Sequence, residues 1–397
     1  MTQSGSTLTH QRLTFFDSQT ESSHAIADQS VISFLHGLSR AILGFVGVRE
    51  YSDLVTFAYF VRKANLNIIG RELSGGGYRR GLGYVVHIAP ANIPLNFAYS
   101  LVFGLLAGNA NWVRLPSSTF PQVEVLSELI KTELDKPANL GIRDRVHLFR
   151  SEKGSDELKE LIAKADGLVV WGGDATVSEL RSYKKKTTAR ELYFPSRVSS
   201  ALIAADRYLK LPARDRDVVA LKFYNDTYLV DQNACSSPSV VAWVGSEVDC
   251  EQASEHFWSS VAKVVRAKYE SWSTAGVDKL LDLFGIVTDT NRAVPIRQQG
   301  NFLWVTSDQE LAKRSLRFGI FSESFHRSVG EALGRVRPNE QTITHFGIDP
   351  IQIYEETERL GLRSVERICP FGEALDMGVI WDGKDIIALL SRTITVK

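Results

Sequence analysis

Short apolar runs alternate with helix-like segments between Tyr84 and Tyr183, and this alternation constrains the fold more than any other feature of the chain. The first run, Tyr84–Ala89, is almost entirely apolar, as is typical of a strand buried on both faces of a parallel sheet. Further runs follow at helix-length intervals, at 111–115, 146–149 and 167–171. Strands and helices in alternation at this spacing predict an α/β protein with a doubly wound sheet.

A second α/β unit is expected beyond a charged segment at 206–217, which contains Pro212 and is typical of a domain boundary. The pattern beyond it predicts helices at Cys250–Lys268 and Val277–Phe284 and strands at 302–305, 341–344 and 377–381. The expected division is a first domain at 1–208 with a hairpin arm at about 73–83, a second domain at 209–384, and a C-terminal segment at 385–397 that is part of the arm.

Composition and charge exclude several classes of protein. The 46 acidic and 46 basic residues balance, so no overall field attracts nucleic acid or an anionic membrane. The longest apolar run, at about 93–107, is shorter than the roughly 20 residues that span a bilayer. Residues 1–30 lack the basic-then-apolar pattern of a signal peptide. We therefore expect a soluble cytoplasmic protein without membrane insertion or a nucleic-acid partner.

The three cysteines are Cys235, Cys250 and Cys369, an odd number without paired spacing. This argues against a disulfide framework and against a metal site. Cys235 stands in the polar segment 231–238, between apolar runs at 228–230 and 240–243. The pattern predicts a strand, a tight turn and a helix with the thiol at its start, where the helix dipole favours the thiolate. Burial as a small apolar residue is the other interpretation of a lone cysteine.

Ligands of doubly wound sheets bind beyond the carboxyl ends of the strands. The Gly172-Gly173 turn would let N–H groups at a helix start approach a pyrophosphate, and Arg114 would suit a phosphate. The Gly-x-Gly-x-x-Gly fingerprint is absent from this chain. The candidate residues at the three strand ends are Ile88, Ala89, Pro90, Arg114, Ser117, Gly172, Gly173 and Thr176.

A basic cluster combines Lys184–Lys186 with Arg181 and Arg190. Such a cluster is typical of a solvated helix end. The alternative is a surface that meets a phosphorylated ligand or an acidic carrier protein.

Three longer segments follow one another along the chain: Ile88–Pro94 (IAPANIP), Gly108–Ser117 (GNANWVRLPS) and Asp231–Pro238 (DQNACSSP). In this order they resemble the aldehyde dehydrogenase superfamily, and its fatty acid reductase or acyl-CoA reductase branch most closely. The closing segments 370–375 and 381–383 are similar to that branch as well. The resemblance runs from about Gly83 to the last residue.

The resemblance implies a nicotinamide cofactor on the first sheet, a catalytic domain that carries the cysteine, and a small arm that makes homo-oligomers. Cys235 matches the nucleophile. Asn92 matches the residue whose side-chain amide, with the Cys235 N–H, forms an oxyanion hole. Two such donors would stabilise the charge that develops on the thioester oxygen.

Two departures from the oxidising relatives indicate the direction of the reaction and the cofactor. The Glu-Leu-Gly-Gly motif, whose glutamate activates water, is matched by Glu191–Ser196 without either glycine. Without that base, an acyl-enzyme would persist long enough to be reduced to aldehyde. Ser117 and Ser118 stand where NAD-preferring relatives often carry a glutamate, which favours NADPH, with NADH as the alternative.

The resulting hypothesis is an NADPH-dependent reductase of acyl thioesters, with acyl-CoA or an acylated carrier or partner protein as the donor. His345 is a candidate proton donor, although a packed or surface histidine is the simpler interpretation. A cofactor-free cysteine acyltransferase or thioesterase would also keep Cys235 and Asn92. A catalytically silent scaffold is a third possibility.

Overall fold

The computed structural model describes residues 24–74, 78–269, 277, 279–281, 284, 288, 295–308 and 316–397. The tip of the expected arm at 75–77 lies outside the described residues, as do residues 278, 282 and 283 of the expected helix at Val277–Phe284, whose five described residues are helical. The chain divides into two units, one that runs to Pro195 and includes Gly378–Lys397, and one at Ser196–Met377. The sequence pattern predicts this boundary at 208/209 instead.

The helices of the first unit are amphipathic where they cover its sheet and its helical layer. In the helix that begins at Gln29, Phe34, Leu38 and Ile42 recur at helical spacing and are buried. The Asp28 side chain accepts the N–H of Ser30 at 2.7 Å and caps this helix. The described helices are α1 (Gln29–Leu43), α2 (Ser52–Phe60), α3 (Lys63–Ser74), α4 (Asn96–Leu106), α5 (Pro121–Leu134), α6 (Leu140–Arg143), α7 (Asp156–Lys164) and α8 (Asp174–Arg181).

The strands of the first unit are β1 (Tyr78–Gly81), β2 (Tyr84–Ile88), β3 (Ala110–Arg114), β4 (Val146–Phe149), β5 (Gly167–Trp171) and β6 (Arg190–Phe194). All but β1 form one parallel sheet in the order β4-β3-β2-β5-β6. Both β2 and β5 are buried along their whole length. The prediction of a doubly wound sheet is confirmed. The chain moves from β2 to one edge and then returns to add β5, so the strand order reverses between β2 and β5.

A buried chain of hydrogen bonds links β5, α4, β2 and β3. The Trp171 indole N–H donates to Ser100 Oγ at 2.9 Å, and Ser100 Oγ lies 2.7 Å from His87 Nδ1. His87 Nε2 lies 3.0 Å from Asn111 Oδ1, while Asn111 Nδ2 donates to the Asn109 carbonyl at 2.9 Å. Because the Asn111 amide is oriented by that carbonyl, His87 must carry its proton on Nε2. Burial lowers the pKa of His87 to about 4, which keeps the ring neutral. The chain fixes Trp171 at the carboxyl end of β5.

The second unit has its own sheet, which is parallel except for one strand. Its strands are β7 (Val198–Ala204), β8 (Pro238–Val244), β9 (Ile296–Gln299), β10 (Leu303–Thr306), β11 (Ile320–His326), β12 (Glu340–Phe346) and β13 (Arg367–Pro370). Their order is β13-β12-β7-β8-β11-β10-β9, with β9 antiparallel to β10. Within the described ranges the helices are α9 (Ala205–Leu209), α10 (Ala213–Thr227), α11 (Glu247–Lys268), α12 (Val329–Leu333) and α13 (Pro350–Leu360).

Helices cover both faces of this second sheet. On one face, Phe223 of α10 and Phe257 of α11 pack with Trp243 of β8 in a single apolar cluster. On the other face, Leu333 of α12 and Ile353 of α13 pack in a separate cluster with neighbouring strands. The strand order and the two covered faces make this unit a second doubly wound α/β layer structure.

The closing segment returns to the first unit as β14 (Ile380–Trp381), β15 (Lys384–Asp385), α14 (Ile386–Leu389) and β16 (Ser391–Ile394). β16 pairs antiparallel with β1, with Tyr78 opposite Ile394. The local hairpin expected at about 73–83 is therefore wrong. Gly83, at φ +131°, leads the chain directly into β2, so the partner of β1 comes from the C-terminal segment instead. Among the helices that the structure describes, none is long and apolar enough to cross a bilayer.

Candidate active site

Cys235 lies in a loop that connects a helix to a strand. Helix α10 ends at Thr227, a single 3-10 turn covers Tyr228–Val230, and β8 begins at Pro238. The predicted order of strand, turn and helix is wrong, because apolar runs of three or four residues are compatible with either element. The valines and tryptophan after Cys235 favour a strand. The thiol is not at a helix start, so the helix dipole does not act on it.

The loop begins with two residues in the left-handed region, Asp231 at φ 50° and Gln232 at φ 60°. Such backbone is costly for residues other than glycine and persists where surrounding contacts enforce it. Asn233 N–H donates to the Val230 carbonyl at 2.8 Å. A second turn follows, in which Ser237 N–H donates to the Ala234 carbonyl at 3.0 Å. Cys235 is the residue after Ala234, inside this turn.

Ser199, near the start of β7, fixes the peptide group of the nucleophile candidate. Its Oγ donates to the Cys235 carbonyl at 2.7 Å and accepts the Thr342 N–H from β12 at 3.3 Å. The same hydroxyl therefore joins β7, β12 and the loop. Sequence reasoning missed Ser199, because its role depends on the adjacency of β12, β7 and β8.

The three cysteines differ in burial. Cys235 is half-buried, whereas Cys250 and Cys369 are buried. Burial raises the pKa of the Cys250 thiol to about 11 and that of the Cys369 thiol to about 11. Because the thiolate is the nucleophilic form, these two thiols are poor nucleophiles near neutral pH. Cys235 is thus the best nucleophile candidate of the three.

Asn92 lies in the first unit, in the bend between β2 and α4, and is exposed. Its predicted role as an oxyanion donor stays a prediction. A side-chain amide at this position is well suited to donate to a ligand, since it carries two N–H groups.

The predicted cofactor residues stand at the carboxyl ends of neighbouring strands. Ile88 ends β2 and is followed by Ala89 and Pro90, and Ser117 is exposed after β3. Gly172 and Gly173 connect β5 to α8, with Thr176 in the first turn of that helix. These ends meet at the edge where the strand order reverses, which is where such sheets bind dinucleotides.

The start of α8 fits a pyrophosphate. Gly173 is its N-cap and has no side chain to accept the first N–H groups of the helix, so an anion can do so. A Cβ at Gly172 would lie 3.3 Å from Thr176 Cγ2, which shows how closely the turn approaches the helix. The residues present therefore fit a nicotinamide dinucleotide.

Arg114 is engaged by the protein itself. Its Nε donates to the Ser151 carbonyl at 3.1 Å and to Ser151 Oγ at 3.2 Å, and its Nη2 donates to the same carbonyl at 2.8 Å. Burial lowers the pKa of Arg114. The guanidinium thus holds the segment after β4 in place. Its contact with a phosphate, through Nη1, stays a prediction.

Glu191 lies near the amino end of β6, opposite Leu168 at the start of β5. Its exposed carboxylate accepts the Tyr193 hydroxyl and forms an ion pair with Lys185 at 3.3 Å. The carboxyl end of β6, where ligands of such a sheet bind, carries Phe194 instead. This placement agrees with the interpretation that Glu191 is not a water-activating base.

Three of the five side chains in the basic cluster form hydrogen bonds or ion pairs within the protein. Lys185 donates to two carbonyls at the end of α8, at 3.1 and 2.8 Å. Lys186 pairs with Asp166 at 2.7 Å, and Arg190 donates to the Ser391 carbonyl at 2.6 Å. These contacts favour the interpretation of a helix end over a docking surface.

The closing motif at 370–375 is held by a buried carboxylate. Asp226 accepts the N–H of Gly372 at 2.7 Å and that of Ala374 at 2.9 Å. Burial raises the pKa of Asp226 to about 7, against the opposing effect of these two bonds. Sequence reasoning missed this residue, although its position three residues after Phe223 places it on the buried side of α10.

His345, near the end of β12, is half-buried, and burial lowers its pKa. Its backbone carbonyl accepts the Phe371 N–H at 3.2 Å. These contacts describe a packed histidine, and its role as a proton donor stays a prediction.

Comparison with protein families identifies residues 74–280, just over half of the 397-residue chain, as matching the family "Acyl-CoA reductase (LuxC)". Among proteins with curated functions, none matches the chain significantly in sequence.

Solved structures extend the likeness to the whole fold. An NAD-dependent aldehyde dehydrogenase from Sinorhizobium meliloti superposes with a TM-score of 0.66 at 14% identity, covering 91% of this chain and 80% of that one. A putative aldehyde dehydrogenase from Burkholderia cenocepacia gives 0.63 at 15% identity, with coverages of 92% and 84%. A benzaldehyde dehydrogenase from Corynebacterium glutamicum gives 0.62 at 14% identity, with coverages of 92% and 85%. At these identities the likeness concerns the fold.

The family match and the fold agree with each other and with the ordered motifs around Asn92, Arg114 and Cys235. The chain belongs to the acyl-CoA reductase (LuxC) family and is an aldehyde-forming enzyme of the acyl-CoA reductase type, built on an aldehyde dehydrogenase-like fold.

Proposed function

We propose that the protein is an NADPH-dependent reductase that converts an acyl thioester to an aldehyde through an acyl group carried on Cys235. The observation that carries the proposal is the contrast among the three thiols. Cys235 is half-buried in a loop clamped by Ser199, while Cys250 and Cys369 are buried with raised pKa.

The first half of the reaction is a thioester exchange. The Cys235 thiolate attacks the acyl carbon, a new S–C bond forms, and the carrier thiol leaves and takes up a proton. Charge develops on the carbonyl oxygen during the attack. The Cys235 N–H and the Asn92 amide are the donors that the family resemblance assigns to this oxygen. Ser199 keeps the Cys235 peptide in a single orientation through its carbonyl.

The residues that would hold NADPH are those at the carboxyl edge of the first sheet. Gly172, Gly173 and Thr176 offer N–H groups at the start of α8 to the pyrophosphate. Ser117 presents no carboxylate to repel a 2′-phosphate, which favours NADPH, with NADH as the alternative. When bound, this cofactor supplies a hydride.

The second half of the reaction requires Cys235 to hold a reduced acyl group and then release it. One hydride added to its acyl carbon would leave the alkoxide of a thiohemiacetal on Cys235. Its C–S bond breaks, the aldehyde leaves, and the thiolate is restored. Glu191 lies near the amino end of β6, whereas ligands of such a sheet bind at the carboxyl ends of its strands. We therefore do not assign Glu191 the role of a water-activating base.

The donor in this proposal is acyl-CoA, with an acylated carrier or partner protein as the alternative. We also infer a homo-oligomer that uses the ribbon of β1 and β16. Tyr78 and Ile394 are paired in this ribbon and expose 71% and 41% of their surfaces. Exposed apolar side chains that lie side by side are typical of subunit contacts.

The test uses purified protein, a panel of acyl-CoAs, and NADPH or NADH. We expect the near-ultraviolet absorbance of NADPH to fall as aldehyde accumulates, and we expect no reaction with Cys235→Ser. Release of CoA without consumption of either cofactor would contradict the reductase and indicate the cofactor-free acyltransferase or thioesterase.

A further inference from the structure

We infer that Gln232 is a positioning residue for Cys235, and that its side-chain amide holds the nucleophile loop in the geometry needed for acylation. The inference rests on the proposed function for its catalytic readout and adds a residue to it. Gln232 touches neither substrate nor cofactor in this account and acts on Cys235 through the backbone.

The Gln232 side chain is buried, with 4% of its surface exposed, and its amide makes three hydrogen bonds to backbone groups. Its Nε2 donates to the Pro238 carbonyl at 3.1 Å and to the Ile320 carbonyl at 3.1 Å. Its Oε1 accepts the Gly319 N–H at 3.0 Å. One amide therefore joins the start of the loop to the start of β8 and the start of β11.

The bond to Pro238 has a direct consequence for Cys235. Gln232 stands three residues before Cys235, and Pro238 stands three residues after it. A hydrogen bond between them closes the loop into a ring with the cysteine at its middle. The other side of the ring is attached to β7 by Ser199, which donates to the Cys235 carbonyl.

The backbone of Gln232 explains why the side chain is needed. Asp231 and Gln232 are left-handed, and so are Phe318 and Gly319, which lie opposite them. Phe318 N–H donates to the Asp231 carbonyl at 3.2 Å, so the two unusual segments face each other. Strained backbone of this kind reverts unless nearby contacts enforce it. The Gln232 amide supplies three such contacts at the junction.

An amide is the only uncharged side-chain group of this length with two donors and an acceptor. Glutamate at this position would direct a carboxylate at two carbonyl oxygens. Methionine would fill the same volume without any of the three bonds. Gln232→Met and Gln232→Glu therefore remove the contacts in different ways while preserving most of the packing.

The experiment compares these two variants with wild type and with Asn139→Leu, a control in the first unit. Asn139 is also a buried amide, and its Nδ2 donates to the Glu133 carbonyl at 2.8 Å. Two rates are measured: single-turnover acylation of Cys235 by acyl-CoA, and labelling of each cysteine by iodoacetamide, followed by peptide mass. Cys250 and Cys369 report on global unfolding because both are buried.

We expect the Gln232 variants to acylate about 10- to 100-fold more slowly, because a small displacement of a reacting group has effects of this size. Iodoacetamide should label Cys235 faster than in wild type, since the detached loop exposes the thiol. Cys250 and Cys369 should stay protected, and KM for NADPH should not change. Asn139→Leu should lower the melting temperature without altering either rate at Cys235.

Acylation by Gln232→Met at the wild-type rate would overturn the inference. Simultaneous labelling of all three cysteines would also overturn it, because Gln232 would then act on global stability alone. If wild type is not acylated at all while labelling of Cys235 still responds to Gln232→Met, the proposed function fails and the positioning role stands.

Discussion

Two regions of the molecule are built by different means. One is the ligand edge, formed by the carboxyl ends of the strands in the first sheet, and the other is the nucleophile loop at 231–237 in the second unit. At the ligand edge, Gly172, Gly173 and Ser117 follow the carboxyl ends of parallel strands, and the start of α8 supplies backbone N–H groups. In the second unit, Cys235 comes before the amino end of β8, and no helix begins there. Side chains do the positioning instead, through Gln232 and Ser199.

Because one region relies on backbone groups and the other on side chains, the two should differ in how strongly single substitutions affect them. A site made from strand ends and a helix start depends on the fold, so most single side chains there can change with modest effect. A loop held by individual side-chain hydrogen bonds depends on each of them, because a buried partner left unpaired costs free energy. We therefore expect the second unit to be the more sensitive, with Asn92 as the exception in the first.

Asn92→Ala tests that exception and has the largest expected effect. Loss of one oxyanion donor lowers kcat by about 100-fold or more. KM for NADPH should stay unchanged. Steady-state kinetics beside Ala91→Ser, an exposed neighbour in the same bend, would check this. A kcat close to that of wild type would remove Asn92 from the site and leave the first unit as a cofactor scaffold only.

Ser199→Ala is the matched test in the second unit. It removes the 2.7 Å bond to the Cys235 carbonyl, and we expect acylation to slow by about tenfold, as for the loss of one hydrogen bond. The control is Ser39→Ala, which removes a 2.7 Å bond from a buried serine to the Ala58 carbonyl in the first unit. Ser199→Ala should lose more stability than Ser39→Ala in thermal denaturation, because it also removes the acceptor of the buried Thr342 N–H. Equal acylation rates for the two would contradict the claim that side chains position Cys235.

Ser117→Glu tests whether the strand end after β3 selects the cofactor. A carboxylate there would repel a 2′-phosphate, so the ratio of kcat/KM for NADPH to that for NADH should fall by about tenfold. The measurement is initial rates with both cofactors at constant acyl-CoA concentration. An unchanged ratio would place cofactor selection elsewhere.

Asp226→Asn has the smallest expected effect on turnover. It should instead change how the stability of the protein depends on pH. The folded pKa of Asp226 is raised to about 7 from 3.8, so the folded state binds this proton more tightly. Its contribution to stability is complete below about pH 4 and is lost as the pH rises towards 7. We expect the melting temperature of wild type to fall by a few °C over this range and the variant to show less of this slope. Asp215→Asn, at an exposed position, should keep the slope of wild type. A variant slope equal to that of wild type would contradict the assignment.

The two regions also differ in how far the sequence predicted them. The strands β2, β3, β4 and β5 agree with the predicted runs within about one residue, because each is a continuous apolar segment bounded by glycine, proline or polar residues. Their carboxyl ends then follow from the fold alone. The family resemblance, from the segments around Asn92 and Cys235, is confirmed by the family match.

The nucleophile loop was predicted wrongly because its structure depends on contacts distant in sequence. Gln232 adopts φ 60°, and nothing in the local sequence indicates this for a glutamine. Ser199 and Asp226 acquire their roles only when β7, β12 and the closing motif are adjacent. The pairing of β1 with β16 joins residues more than 300 positions apart, which local turn signals cannot indicate.

The central claim is that Cys235 carries the acyl group, and peptide mass mapping without cofactor tests it most directly. Wild-type protein is incubated with acyl-CoA, digested and analysed, and a second sample receives NADPH before digestion. The account predicts an acyl adduct on the peptide that contains Cys235, and loss of this adduct with formation of aldehyde once NADPH is added. An adduct on Cys250 or Cys369, or cleavage of acyl-CoA without any adduct, would contradict it.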